Sequence, residues 1–148
     1  MAFTVEKSIV IDRPREDVWE YVIEHDEWRK PEVLEVRKLT EGPPEVGTRY
    51  EDTSQLMGRE LKTVNEVTQF DPPEYISWTQ VDKEGPAYTV KGSYELESLS
   101  GRTQFTLFGN YEAGGLWRML APLIRRRLQT DTFPTFLRQL KEILENKE

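Results

Sequence analysis

Between Val33 and Tyr111 the chain is cut into short alternating segments by turn-forming clusters, and this punctuation constrains its fold more than any other feature. The clusters are Glu41-Gly42-Pro43-Pro44, Met57-Gly58, Asp71-Pro72-Pro73, Lys83-Glu84-Gly85-Pro86 and Ser98-Leu99-Ser100-Gly101. A parallel crossover needs about a dozen residues or more. Connections this short therefore join antiparallel neighbours. Six strands are predicted near 33–40, 47–56, 59–70, 74–82, 87–97 and 102–112. A seventh precedes them at Phe3–Ile11, with Phe3, Val5, Lys7, Ile9 and Ile11 on one face.

Two short helices follow the first strand. Asp12 or Arg13 stands at a cap position, Pro14 suits a first turn, and Glu16 and Asp17 favour the positive end of a helix dipole. Val18, Trp19, Val22 and Ile23 supply that helix's apolar face; His25-Asp26-Glu27 interrupts it, and Trp28 opens a second turn that Pro31 ends. After Ala113-Gly114-Gly115 the pattern is helical. Leu116, Leu120, Leu123, Ile124 and Leu128, then Phe133, Phe136, Leu137, Leu140 and Leu144, recur at spacings of a helix face. Pro122 and Pro134 lie inside this stretch, so the long helix is expected to bend or break near 130–134, with Asp131 or Thr132 capping a restart.

This order predicts an α+β helix-grip fold: a seven-stranded antiparallel sheet wrapped around the long C-terminal helix. One helix cannot fill the concave face of so large a sheet, so an internal apolar cavity is expected between them. In a simple hairpin of the last two strands, Tyr94 lies near Phe105 and Gly92 opposite Leu107. A glycine there lets the sheet bend or leaves room above it.

The sequence resembles the SRPBCC superfamily along nearly its whole length. The opening strand followed by Arg13-Pro14-Arg15-Glu16-Asp17-Val18-Trp19 carries the resemblance first. Val46-Gly47-Thr48-Arg49-Tyr50, Glu66-Val67-Thr68-Gln69-Phe70-Asp71-Pro72-Pro73, Gly101-Arg102-Thr103 and Leu140-Lys141-Glu142-Ile143-Leu144-Glu145 continue it in the same order. That superfamily includes START-like lipid carriers, polyketide cyclase/dehydrase-like proteins and pollen-allergen helix-grip proteins. The resemblance implies a cavity that encloses a lipid, a polyketide or a similar hydrophobic molecule. Such a fold hosts carriers, enzymes and co-chaperone domains, so the function has to come from the site.

Composition removes several classes of function. The chain has 148 residues, no cysteine and one histidine, which excludes disulfides, thiolate metal sites and any site needing two imidazoles. A net charge of −7 argues against a nucleic-acid partner, since phosphate binding needs a surplus of Lys and Arg. No apolar run approaches about 18 residues, so no membrane span is expected. The first residues lack a basic start and an apolar core, so one START-like domain over 1–148, cytoplasmic and without a signal peptide, is expected. The oligomeric state is not legible. Charge is uneven: residues 116–148 carry seven basic and four acidic residues, including Arg125, Arg126 and Arg127. Such a run is either a solvated helix face or a docking site for an anionic ligand or head group.

The face carrying Tyr88, Tyr94, Phe105 and Tyr111 offers rings with hydroxyl tips, suited to a mostly apolar ligand with a few polar atoms. Tyr50, Trp78 and Trp117 are further candidates, with Leu120 and Ile124 from the helix. Leu56 belongs to a mouth formed by Leu56-Met57-Gly58 and Leu116-Trp117. The competing use of each ring, and for any one of them the commoner one, is simply to fill the core.

Catalysis needs a positioned acid or base. His25 sits in a polar corner, and Asp52 and Glu66 can pair with Arg49 or Lys62. Lys7 is the one charged residue on the apolar face of its strand. It is either a polar cavity group, able to act as a base or imine former, or a strand-end lysine that reaches water. No nucleophilic triad, phosphate loop or metal-ligand spacing is present, so no catalytic residue, metal or cofactor is assigned. Binding or transport of a hydrophobic small molecule is the leading reading. A cyclase- or dehydratase-like enzyme using the same cavity is the alternative, and a lysine or carboxylate deep in the cavity, within about 3 Å of a second polar group, would favour it.

Overall fold

The structure, a computed structural model, describes residues 2–24, 33–56, 59–82 and 87–146. Its elements are β1 (Ala2–Ile11), α1 (Arg15–Glu24), β2 (Val33–Lys38), β3 (Arg49–Leu56), β4 (Arg59–Asp71), β5 (Tyr75–Gln80), β6 (Tyr88–Leu99) and β7 (Arg102–Glu112). A C-terminal helical stretch of 31 residues, Gly115 to Glu145, completes the chain. The sheet is seven-stranded, its neighbouring strands pair antiparallel throughout, and the strand order is β1-β7-β6-β5-β4-β3-β2. Each predicted strand is present with ends shifted by a few residues. The second short helix, expected from Trp28 to Pro31, and His25 lie outside the described residues, as does the Met57-Gly58 hairpin tip.

One long-range pairing closes this meander. β1 returns to β7 in the register Phe3↔Tyr111, Val5↔Gly109, Ile9↔Phe105 and Ile11↔Thr103. The matched inward faces explain it: Phe3, Val5 and Ile11 are buried, as are Thr103, Phe105 and Leu107. α1 covers the adjoining corner. Glu16 and Asp17 occupy its first turn, Val18, Trp19 and Tyr21 are buried, and the Trp19 ring lies 5.6 Å from that of Phe70.

The β6–β7 register differs from the simple hairpin. Gly92 pairs with Gly109, Tyr94 with Leu107, and Leu96 with Phe105. The register shifts between Thr89 and Lys91, so Val90 is an extra residue. Such a bulge exchanges the two faces of the strand beyond it. Thr89 therefore stands opposite Tyr111 on the inward side, and Tyr88 stands opposite Glu112 on the outer side.

The C-terminal stretch starts as a 3-10 segment, Gly115–Leu120, and continues as α2 (Ala121–Arg127), a π-helical turn (Leu128–Thr132) and α3 (Phe133–Glu145). It does not break near 130–134. Pro122 and Pro134 fall in the first turns of α2 and α3, where the missing N–H is tolerated. Thr132 is helical, at φ −61 and ψ −54, and makes no side-chain cap bond, so the expected capped restart does not occur. The π turn replaces it: the Phe133 N–H reaches back to the Leu128 carbonyl, and the widened turn carries the chain past Pro134.

α3 buries Phe133, Phe136, Leu137, Leu140 and Leu144 against the concave face of the sheet. Its end is tied to the turn after β1. Lys141 Nζ donates to the Val10 carbonyl at 2.6 Å and to Glu145 Oε2 at 2.7 Å. The Asp12 N–H donates to the same Glu145 oxygen at 2.9 Å, and Arg13 donates to the Glu145 carbonyl at 3.0 Å. Helix and sheet are thus gripped together at both ends of the sequence.

Candidate functional site

Between the sheet and the C-terminal helix the inward residues of β5, β6 and β7 form a set of touching rings. Trp78 meets Tyr94 edge-on at 4.8 Å between centroids. Tyr94 also lies 5.2 Å from Phe105 and stacks at 6.1 Å on Phe136 of α3. Phe3 stacks on Tyr111 at 5.4 Å. The two glycines make this arrangement possible. A Cβ at Gly92 would overlap the Trp78 indole, and one at Gly109 would overlap the Tyr111 ring. The room above the glycines is occupied by the protein's own rings.

Polar groups adjoin these rings. Burial raises the pKa of Tyr94 far above its ordinary value of 10.0, and the charge of Asp52 adds to the effect, followed by Tyr111 and Tyr50. Burial likewise raises Tyr111 and Tyr50. All three phenols stay protonated at neutral pH, which suits them to donate hydrogen bonds and makes them poor bases.

Asp52 is half-buried and accepts from Asn65 Nδ2 at 3.4 Å. Tyr50 pairs with Asn65 across β3 and β4, and Asp52 is two residues along the same face. Asn65 Oδ1 is buried and has no hydrogen-bond partner among the described residues. The arrangement is an apolar aromatic floor with one polar end, and that end holds an acceptor still lacking a donor.

The residues expected from sequence divide accordingly. Tyr50, Trp78, Tyr94, Phe105 and Tyr111 face the helix side together. Tyr88 is turned away from them by the Val90 bulge. Ile124 packs against the core, whereas Trp117 and Leu120 keep just over a third of their surface in water, at 38% and 37%. Leu56 ends β3, and the tip beyond it lies outside the described residues. Lys7 pairs with Leu107 on the inward face of the edge strand but is exposed.

Glu66 is paired with Arg49 at 2.9 Å, as a structural ion pair would be. Sequence reasoning places neither Asp52 nor Asn65 in the ligand site. The parity that puts Tyr50 and Asp52 on one face of β3 is the signal that could have found Asp52. Among the described residues no cluster of His, Asp or Glu could hold a metal ion. Nor is any helix among them long and apolar enough to cross a membrane.

Comparison with solved structures finds the same fold in proteins of low identity. Zhui aromatase/cyclase from Streptomyces sp. R1128 superposes with a TM-score of 0.78 at 17% identity, covering 98% of this chain and 94% of that one. TTHA0849 from Thermus thermophilus gives 0.78 at 18%, covering 96% and 97%. Ara h 8.0201 gives 0.67 at 12%, covering 99% and 100%. No curated protein matches the sequence. The sequence profile of the family described as "Polyketide cyclase / dehydrase and lipid transport" matches residues 2–145, and the chain belongs to that family.

Proposed function

We propose that the protein binds and carries a hydrophobic small molecule, a lipid, polyketide or similar compound, in an apolar cavity between the sheet and the C-terminal helix. The ligand's apolar body lies against Trp78, Tyr94, Phe105, Tyr111 and Ile124, and its polar end meets Asn65, Asp52 and Tyr50. The observation that carries this reading is the donorless Asn65 Oδ1 at the edge of an aromatic floor. Leaving a buried acceptor unpaired costs about 1–3 kcal/mol. A ligand hydroxyl or N–H would recover that energy and fix which way the molecule enters.

Native mass spectrometry of gently purified protein is expected to reveal a small-molecule adduct that solvent extraction removes. Extracted protein should bind an apolar fluorescent probe, and Asn65→Leu should weaken a hydroxyl-bearing probe more than its hydrocarbon counterpart. Protein that carries no adduct and binds neither probe overturns the reading.

The second reading, a cyclase- or dehydratase-like enzyme, draws on Asp52 as the carboxylate nearest the rings. Asp52 is only half-buried, 3.4 Å from its amide neighbour, and Lys7 is in water, so binding ranks first. Turnover of a polyketide-like substrate that Asp52→Asn abolishes, with probe binding retained, would reverse the order.

A further inference from the structure

The start of the C-terminal helix carries an apolar ridge that the fold does not use. Leu116 is 89% exposed, Met119 86% and Leu123 63%, and Trp117 and Leu120 are exposed beside them. Five of the ten large hydrophobic residues exposed in the described structure fall within these eight positions, so they form a patch rather than a scatter. In the 3-10 segment Leu116 and Met119 eclipse each other on its most exposed side, Trp117 and Leu120 eclipse beside them, and Leu123 of α2 continues the ridge, while Ala121, Ile124 and Leu128 turn inward to the core.

The charge around the ridge is of one sign. Residues 113–130 contain Arg118, Arg125, Arg126 and Arg127 and no acid, on a chain of net charge −7. All four arginines are exposed, and Arg125 Nε also donates to the Thr4 carbonyl at 3.2 Å, fastening the ridge to the edge of β1.

We propose that this ridge docks the protein on a bilayer surface bearing anionic headgroups. Leu116, Met119 and Leu123 enter the boundary between headgroups and acyl chains, and the arginines pair with the phosphates and carboxylates around them. The shape and the chemistry agree. A convex ridge of flexible aliphatic side chains needs no matching groove in a fluid interface, Trp117 suits the interfacial layer, and basic residues supply the electrostatic half of the attraction. The acidic remainder of the chain is repelled by the same surface, which orients the molecule with the ridge towards it. Docking requires no bound ligand, so it stands or falls separately from the carrier reading.

The test is flotation of purified protein with vesicles of phosphatidylcholine alone and of phosphatidylcholine mixed with phosphatidylserine. The wild type should float with the mixed vesicles and not with the neutral ones, and added salt should release it. Arg126→Gln should weaken binding about fivefold. Met119→Asp should weaken it by roughly tenfold or more. Both residues are exposed, so the thermal midpoint should stay unchanged; if Met119→Asp unfolds the protein, Leu116→Asp replaces it. Equal binding to neutral vesicles, binding that neither variant alters, or no binding at all overturns the proposal. So does a concentration-dependent dimer in vesicle-free solution that Met119→Asp dissolves, since the ridge would then be an interface between copies of the chain.

Discussion

Tyr94 is the residue on which the interior turns, because it touches Trp78, Phe105 and Phe136 and is the phenol most strongly held neutral. Gly92 decides whether that cluster can form. It faces Gly109 across the ladder and leaves its own Cβ position to the Trp78 indole. Gly92→Ala should therefore push the indole off its position and lower stability by about 1–3 kcal/mol, read from urea denaturation. A neutral effect would mean that the indole has another place to go.

The phenols make a second prediction. A group whose pKa is raised by folding contributes stability below its unfolded value and loses it as pH rises towards the folded one. Tyr94 and Tyr111 are raised, so stability should fall as pH climbs past the ordinary tyrosine value of 10.0. Tyr94→Phe should flatten that fall. An unchanged alkaline limb of the stability profile would remove Tyr94 from the account.

At the scale of elements, the strands are legible in the sequence because Gly, Pro and acidic turn clusters mark their ends more sharply than strand propensity marks their middles. The Val90 bulge is not legible. Tyr88-Thr89-Val90-Lys91-Gly92 alternates as well with one register as with the other, and only the pairing of two glycines beneath two large rings selects between them. This is why the sequence places Tyr88 among the site rings: face assignment along a strand fails for every residue beyond an unseen bulge. β4 carries a similar shift between Val67 and Gln69, which hides the face of Asn65 in the same way. The passage across Pro134 depends on a π turn, for which sequence spacing offers no signal.

The end of α3 supports a prediction of its own. The Glu145 carboxylate is held below its ordinary pKa chiefly by the Lys141 hydrogen bond and then by the Asp12 N–H. A depressed carboxylate contributes stability above its unfolded pKa and loses it as pH falls through the folded value. Glu145→Gln should cost about 1 kcal/mol at neutral pH, since the pair is only half-buried and water still screens it. In acid, where the wild-type carboxylate is protonated, the difference should vanish. A difference that persists in acid would assign the effect to packing of α3 instead.

The whole molecule is closed by contacts between its two ends: β1 lies between β7 and the C-terminal helix, and the Ile11↔Thr103 pair bridges most of the sequence. Five of the six strand pairings are local in sequence and the sixth is not. Loop closure over such a distance carries an entropic penalty that is recovered only once the facing surfaces exist. The β2–β7 meander should therefore form first, with β1 and α3 docking after the rate-limiting step. Val5 tests this order, since it is buried in β1 opposite Gly109 and belongs to the same core cluster as the α3 side chains. Val5→Ala should destabilise by about 2 kcal/mol through the cavity it leaves. If docking is late, that loss appears as unfolding faster by roughly thirtyfold with refolding nearly unchanged. Stopped-flow measurements in denaturant separate the two limbs. A refolding rate that falls by most of that factor would place the β1–β7 closure inside the folding nucleus and reverse the proposed order.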